Sequence, residues 1–381
     1  MTVEPADTPP KTAHLREIAA YFLRLGSLGF GGPVALVGQM ERELVLERQW
    51  LSREEMREAV ALCQTMPGPL AIQVGIYLAY LRGGRPGAWI GGWCFILPNF
   101  LIVTALAALY VAFDGLPWMN AVFYGVSPAV IGLILHSTWR LSKLGMEDRM
   151  QWVVAGLAFL VTVILQAEVA VIFLLAGAAG IALYGTAFRG GAPPAAVAPL
   201  AAGKLFVFFL KAGSLTFGSG LVIVPFLEKG LVQETGWLDE RQFLVAVAIG
   251  MISPGPVVIT ATFVGYLVAG FLGAAAATIG IFLPSFLMVL IVAPLLIRHR
   301  VNPNVKGFVK GVYAAAIGTI AGACLLLGKI AIGDWLTALV AAATLLILFR
   351  WKIGNPMVMA LAAIVGAIGF HFLQPAWVFV K

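Results

Sequence analysis

Charged side chains are scarce in this chain of 381 residues, where Asp, Glu, Lys and Arg together make up only 11% of the sequence. A soluble globular protein carries about 25% charged residues. Eleven percent is too little to cover the water-exposed surface of a chain this long, and hydrophobic residues reach 61%. The composition therefore excludes a water-soluble enzyme and predicts an all-α membrane protein with several spans.

Cysteine pairs and nucleotide-binding motifs are also lacking. The three cysteines, Cys63, Cys94 and Cys324, lie in separate apolar runs without Cys-x-x-Cys spacing, which indicates neither a disulfide framework nor a zinc site. No GxxxxGK[ST] motif is present, so we expect that the chain does not use ATP. The net charge of +7 is modest and needs no nucleic-acid partner. We expect no cofactor and no metal.

Apolar segments of roughly bilayer-spanning length occur six times in each half of the chain. They lie near 17–40, 56–81, 88–113, 118–138, 152–166 and 168–186, and then near 205–228, 242–270, 272–297, 308–328, 334–349 and 356–373. A Pro- and Gly-rich stretch separates the two groups. The predicted units are an N-terminal tail (1–16), a first membrane repeat (17–187), a linker (188–204) and a second membrane repeat (205–381).

The two halves are copies of one another. Residues 26–69 align with 213–256 without a gap, and the alignment matches Gly-Ser-Leu, Phe-Gly, Trp-Leu, Ala-Val-Ala and Pro-Gly-Pro in both copies. After one deletion, Leu97-Pro98 aligns with Leu283-Pro284. This similarity at a fixed offset indicates an internal duplication.

The loop charges predict that the copies are inverted. The loop after the second segment carries Arg82 and Arg85 in the first half, whereas its counterpart at 270–273 has no Lys or Arg. Basic loops face the cytoplasm, so the same loop lies inside in one copy and outside in the other. Inversion requires an odd number of crossings per half. We predict five per half and ten in all, with one of the first two segments broken or re-entrant and both termini periplasmic.

Two motifs in each half interrupt helices at membrane depth. The first is Phe30-Gly31-Gly32-Pro33, with Phe217-Gly218-Ser219-Gly220 as its counterpart, and the second is Pro67-Gly68-Pro69, with Pro254-Gly255-Pro256. Gly costs about 1 kcal/mol and Pro about 3 kcal/mol inside a helix. Backbone freed in this way must be buried in protein or line a cavity. Helix packing by small residues is the alternative explanation.

A helix that restarts after such a break presents free N–H groups and the positive end of its dipole, which together favour an anion. Hydroxyl groups close to the breaks, on Ser27, Thr65, Ser214 and Ser253, are candidate donors to an oxyanion. Arg24 and Lys211 occupy equivalent positions, and two cations there would favour a dianion; both also lie close enough to segment starts to extend to the membrane interface instead.

These residues define the predicted substrate site. Its members are Arg24, Ser27, Phe30, Gly31, Gly32, Pro33, Thr65, Pro67, Gly68, Pro69, Lys211, Ser214, Phe217, Gly218, Ser219, Gly220, Ser253, Pro254, Gly255 and Pro256. Glu41 and Glu228 are equivalent acids at the ends of the first segments; they are candidates for carrying a coupling proton, and an interfacial or capping role is the alternative.

The combination of motifs resembles the chromate ion transporter family. The resemblance rests on Phe30–Pro33 preceded by Arg24, and on Cys63-Gln64 followed by Pro67–Pro69. The second-half copies of these motifs match the duplicated, long-chain members, so the resemblance covers nearly the whole chain. Members commonly carry a His shortly after Phe-Gly-Gly-Pro, where this chain has Leu36. Any role of that His is therefore absent here.

The resemblance implies a bacterial inner-membrane protein of two homologous, oppositely oriented domains. It implies export of chromate from the cytoplasm, with sulfate as structural analogue and potential competitor. We expect a secondary transporter rather than an enzyme. An anion-selective channel and an uptake transporter for sulfate or another oxyanion are the alternatives, and the sequence leaves open whether the chain forms a homodimer.

Overall fold

The computed structural model describes most of the chain as helix. The described residues are 11–30, 32–64, 66–113, 117–165, 172, 175–179, 201–218, 223–292, 303–351 and 353–373. Five helical stretches among them are long and apolar enough to cross a bilayer, and two shorter apolar helices accompany them. This architecture confirms the prediction of an all-α polytopic membrane protein. The number of crossings stays a prediction.

The described part of the first repeat is built of helices and a two-residue strand. They are α1 (Lys11–Leu28), α2 (Gly32–Met40) with a π-helical extension (Glu41–Glu47), α3 (Arg53–Gln64), β1 (Gly68–Pro69), α4 (Leu70–Phe113), α5 (Pro117–Gly145), and α6 (Arg149–Leu160) with a π-helical extension (Val161–Leu165). The predicted segment near 168–186 lies largely outside the described residues.

The described helices of the second repeat follow in a corresponding order, but its strand lies at the first break rather than at the Pro-Gly-Pro motif. It contains α7 (Ala201–Leu215), β2 (Phe217–Gly218), α8 (Ile223–Glu228) with a π-helical extension (Lys229–Glu234), α9 (Glu240–Ile252), a 3-10 turn (Val257–Ile259), α10 (Thr260–Leu287) with a π-helical extension (Met288–Val292), α11 (Pro303–Ala331), α12 (Trp335–Arg350) and α13 (Asn355–Leu373).

Equivalent helices begin at equivalent polar residues, whose side chains bind the N–H groups that the first helical turn leaves unpaired. In each case the side chain of the N-cap residue accepts a hydrogen bond from the backbone N–H of the third residue after it. The side chain of that third residue accepts a hydrogen bond from the backbone N–H of the N-cap residue. The pairs are Ser52 with Glu55 at α3, Asp239 with Gln242 at α9, Asp148 with Gln151 at α6, and Asp334 with Thr337 at α12.

Glycines divide the two longest helices at matching points. The helix α4 has 44 residues, and at about 1.5 Å per residue it would be about twice as long as a bilayer core is thick. Gly84, with φ of 63°, bends the chain inside α4, and Gly270, with φ of 59°, does the same in α10. The predicted segments near 56–81 and 88–113 therefore meet at Gly84, because glycine adopts positive φ without a steric cost.

Helices of each repeat pack both on their own repeat and on the other one. Within each repeat α1 packs on α4 and α7 packs on α10. Across the repeats, α5 packs on α12 and α13, α6 packs on α11, and α4 packs on α10. Trp89 of α4 stacks on Phe286 of α10 with ring centroids 4.6 Å apart. The hydrophobic core is therefore shared between the repeats.

Small residues allow the closest of these contacts. A Cβ on Gly125 of α5 would overlap the Ala362 carbonyl oxygen and the backbone of Gly366 in α13. Both neighbours are backbone atoms of α13, so they cannot move unless the helix itself moves. Interfaces between membrane helices are enriched in small residues for this reason.

We expect Gly125→Ala to destabilise the protein by about 1–3 kcal/mol, as overpacking of a dense core does. Gly156→Ala in α6 is the matched control, because a Cβ there meets nothing within 4 Å. The measurement is the thermal unfolding midpoint of each variant in detergent. Equal midpoints for the two variants would contradict the close approach of α5 and α13.

Candidate functional site

The chain leaves helical structure at all four of the predicted breaks. In the first repeat α1 ends at Leu28 and α3 ends at Gln64; in the second, α7 ends at Leu215 and α9 ends at Ile252. The predicted single segment near 17–40 is thus two helices. Gly and Pro at each break account for the interruption, since neither supports a continuous helix.

The breaks of one repeat hydrogen-bond to the breaks of the other. The backbone N–H of Gly68 donates to the carbonyl of Thr216, and β1 pairs in parallel with β2 in the register Gly68 to Phe217. The backbone N–H of Gly255 donates to the carbonyl of Gly29 at 2.7 Å. Gly68 is equivalent to Gly255 and Gly29 to Thr216, so the two contacts are reciprocal.

Each Pro-Gly-Pro loop needs glycine at its centre. Gly68 has φ of +137° and Gly255 has φ of +88°, a region that side chains with a Cβ rarely occupy. A Cβ on Gly68 would also collide with the amide of Gln73. Gln73 is buried and donates from Nε2 to the Pro67 carbonyl at 2.6 Å, so it holds the first loop in place.

The serine hydroxyls already have acceptors on their own helices. Ser27 donates to the Leu23 carbonyl and Ser214 to the Leu210 carbonyl, each at 2.8 Å. Ser253 is buried and donates to Gly250 at 3.3 Å. In this conformation the hydroxyl hydrogens of Ser27 and Ser214 are directed to those carbonyls, and their role as donors to an anion stays a prediction.

The predicted cations lie at the surface. Arg24 and Lys211 are exposed at their equivalent positions on α1 and α7, whereas the Pro-Gly-Pro loops are largely buried. They are therefore not among the buried groups where the breaks meet. Their exposure is compatible both with attracting an anion and with reaching the interface.

The two predicted acids differ in their surroundings. Glu41 is exposed, whereas Glu228 is buried and accepts from Nε2 of Gln233 at 2.7 Å. The buried carboxylate of the first repeat is instead Glu43, which accepts from Nε2 of Gln39 at 2.9 Å. Sequence equivalence thus does not give equal burial here.

The remaining predicted residues have a mixed placement. Gly32 begins α2, Pro33 is half-buried, and Phe30 is exposed. Phe217 and Gly218 form β2, and Pro254 and Pro256 are buried. Gly31, Thr65, Ser219 and Gly220 lie outside the described residues. Leu36, at the position of the family His, is fully buried beside Gly29.

Sequence reasoning missed three polar residues beside the breaks: Gln73, Asn99 and Ser285. All three are fully buried, and Oε1 of Gln73, both amide atoms of Asn99 and Oγ of Ser285 have no hydrogen-bond partner among the described residues. A buried polar atom without a partner costs about 1–3 kcal/mol. A signal was present, because Asn99 and Ser285 each follow the matched Leu-Pro pair.

The described residues include no group of three or more His, Cys, Asp or Glu side chains suited to holding a metal ion. The three cysteines are unpaired thiols in this structure. What the site offers is backbone, amide and hydroxyl groups, enclosed by apolar side chains from both repeats. Groups of this kind bind an anion through hydrogen bonds and helix dipoles.

Comparison with known proteins identifies the family of the chain. The model of the family described as chromate transporter matches residues 16–181 and again residues 203–367. The chain belongs to the chromate transporter family. It is therefore a multi-pass membrane protein of a transporter family rather than of an enzyme family.

Members of the family from several bacteria resemble the chain over most of their length. It is 45% identical to a chromate transport protein of Cupriavidus metallidurans, covering 95% of each chain. It is 43% identical to a probable chromate transport protein of Synechococcus elongatus, covering 93% of this chain and 95% of the relative. It is 34% identical to a chromate transport protein of Pseudomonas aeruginosa, covering 93% and 92%. No solved structure shows a significant match.

We expect Gly68→Ala to abolish most transport, because the added Cβ displaces the Gln73 amide and strains the loop that pairs with Thr216. Gly236→Ala is the control, since Gly236 has φ of +60° but a Cβ there meets nothing within 4 Å. Both variants carry backbone strain of about 1–3 kcal/mol. The measurement is anion flux into proteoliposomes, normalised to folded protein. Equal flux in both variants would show that crowding at Gly68 is irrelevant.

Proposed function

We propose that the chain is a secondary transporter that exports chromate from the cytoplasm across the inner membrane. The observation that carries the proposal is the reciprocal pairing of Gly68 with Thr216 and of Gly255 with Gly29. It brings the broken helices of both repeats to one buried place, which is how inverted-repeat transporters form a substrate site. The names of the relatives supply chromate as the substrate.

The proposed topology has two inverted repeats, at 17–187 and 205–381, with the first segment of each folded back as a re-entrant hairpin. Ring contacts support the hairpins: the rings of Tyr21 and Trp50 have centroids 5.6 Å apart, and those of Phe208 and Trp237 are 5.9 Å apart. A chain that continued straight after the break would carry Trp50 away from Tyr21. Five crossings per repeat then give the odd number that inversion requires.

The division of the helices into two packing groups supports alternating access. The helices that carry the breaks, α1–α4 and α7–α10, pack on each other, while α5 and α6 pack mainly on α11–α13. We propose that the first group moves relative to the second and exposes the junction of the breaks to one side of the membrane at a time. Such a movement leaves the reciprocal hydrogen bonds intact, since both partners lie in the moving group.

The membrane potential favours export of a dianion. Moving one charge across 100 mV changes the free energy by about 2.3 kcal/mol, so a dianion leaving a negative cytoplasm gains about 4.6 kcal/mol. Sulfate has the same charge and tetrahedral shape as chromate, and we expect it to compete. Arg24 and Lys211, being exposed, are proposed to raise the local concentration of the anion rather than to hold it in the buried site.

The function is tested by chromate uptake into everted membrane vesicles, where export from the cell becomes accumulation. We expect uptake that rises with an imposed potential and continues against a chromate gradient. Flux that only follows the gradient would favour the channel, and accumulation in right-side-out vesicles would favour an uptake transporter. Absence of chromate flux in both orientations would refute the proposal.

We expect the double variant Arg24→Gln, Lys211→Gln to reduce chromate uptake at low ionic strength several-fold, because the attraction of a dianion is lost. The effect should diminish at high salt, where exposed charges are screened beyond about a Debye length. The control is Arg53→Gln, Arg57→Gln, which removes the same charge from the exposed face of α3. Similar losses in both double variants would mean that net charge alone is responsible.

Glu228 is proposed to carry a coupling proton, because it is buried and its one described partner is the neutral amide of Gln233. We expect Glu228→Gln to remove any dependence of chromate flux on a pH gradient at fixed potential. Glu41→Gln, at the exposed equivalent position, should leave that dependence unchanged. The measurement is initial uptake with and without the gradient. Identical behaviour of both variants would discard the coupling role.

A further inference from the structure

Two polar side chains, one from each repeat, lie against the Pro-Gly-Pro loops. Asn99 of α4 and Ser285 of α10 are both fully buried. Neither amide atom of Asn99, nor Oγ of Ser285, has a hydrogen-bond partner among the residues that the structure describes. We propose that Asn99 and Ser285 are the side-chain ligands of the transported oxyanion, each acting beside the Pro-Gly-Pro loop of the other repeat.

Their position relative to the loops is reciprocal. A Cβ placed on Gly255 would lie 3.1 Å from Nδ2 of Asn99, and a Cβ placed on Gly68 would lie 3.1 Å from Oγ of Ser285. The first-repeat residue thus lies against the second-repeat loop, and the second-repeat residue lies against the first-repeat loop. The backbone hydrogen bonds of Gly68 and Gly255 likewise join one repeat to the other. Both side chains therefore lie where the four breaks meet.

Their sequence context separates them from ordinary buried polar residues. Each follows a Leu-Pro pair at equivalent positions of α4 and α10, within an otherwise apolar stretch. By contrast, the buried hydroxyls of Thr262 and Thr278 in α10 bond to each other at 2.7 Å. An apolar residue would avoid the cost of an unpaired polar atom at both positions. A ligand rich in oxygen removes that cost when it binds.

The chemistry of the two side chains indicates the class of ligand. The Asn99 amide offers two N–H donors and the Ser285 hydroxyl offers one, and neither carries a charge. A tetrahedral oxyanion accepts hydrogen bonds at every oxygen, so donors from opposite sides can contact different oxygens at once. The charge of the anion is then balanced by the helix ends that follow each loop, at Leu70 and at Val257–Thr260. This inference rests on the proposed function for the identity of the anion only.

The test measures anion binding by the purified full-length protein in detergent. We expect Asn99→Leu and Ser285→Ala each to raise the dissociation constant for chromate and for sulfate about tenfold or more, which corresponds to about 1.4 kcal/mol or more. Because each change removes an unpaired buried polar atom, the thermal midpoint without anion should stay equal or rise. A side chain with only a structural role would lower the midpoint instead.

The matched control is Thr104→Val in α4. The Thr104 hydroxyl is also buried without a partner among the described residues, but it lies five positions after Asn99, on a different side of the helix. Binding should be unchanged in this variant. If Asn99→Leu does not fold, Asn99→Ser retains a smaller neutral donor, and we expect a weaker but measurable loss of affinity.

The outcomes separate this inference from the proposed function. Wild-type affinity in Asn99→Leu (or Asn99→Ser) and Ser285→Ala would overturn the inference, as would an equal loss in Thr104→Val. Protein that binds sulfate, molybdate or phosphate but not chromate, and loses that binding in the variants, would support the site while refuting chromate as the substrate. Wild-type protein that binds none of the four anions would overturn both.

Discussion

The fold depends on how backbone groups freed inside an apolar environment find partners. A helix that breaks at membrane depth leaves N–H and C=O groups that the hydrocarbon cannot satisfy. Here the breaks satisfy each other across the repeats, through Gly68 with Thr216 and Gly255 with Gly29. The short parallel pairing of β1 with β2 extends the first of these contacts. Each Pro-Gly-Pro loop thus has its backbone partner in the other repeat, so the two repeats form one structural unit.

Helix contacts between the two repeats stabilise the region where the breaks meet. Because α5 packs on α12 and α13, and α6 on α11, the apolar helices that follow the breaks also bind the two repeats together. Glycines such as Gly125 allow the backbones of two helices to come into contact, so the distance between those helices is small. Within this core, the side-chain polar atoms of Asn99 and Ser285 have no hydrogen-bond partner among the described residues.

Much of the architecture was predictable from sequence, because it follows from local rules. Gly and Pro predict the positions of the helix breaks, and the matched motifs indicate the internal repeat. The pairing between breaks was not predictable, since it joins residues far apart in the chain. The bonds of the Ser27 and Ser214 hydroxyls to the carbonyls four residues earlier follow from local helix geometry, and the role of these hydroxyls as donors to an anion stays a prediction. Asn99 was not recognised from sequence, because a single amide side chain in an apolar stretch forms by itself no pattern that indicates a site.

The reciprocal pairing of the breaks also has a consequence for biosynthesis. The ribosome adds the partner of Gly68 about 150 residues after Gly68 itself, which takes roughly 7 to 30 seconds at typical elongation rates. During that interval the nascent first repeat holds an uncompensated amide that the lipid cannot accommodate. We therefore expect its early helices to remain in contact with the insertion machinery or with water until the second repeat has been synthesised. The second repeat then completes the membrane integration of the first.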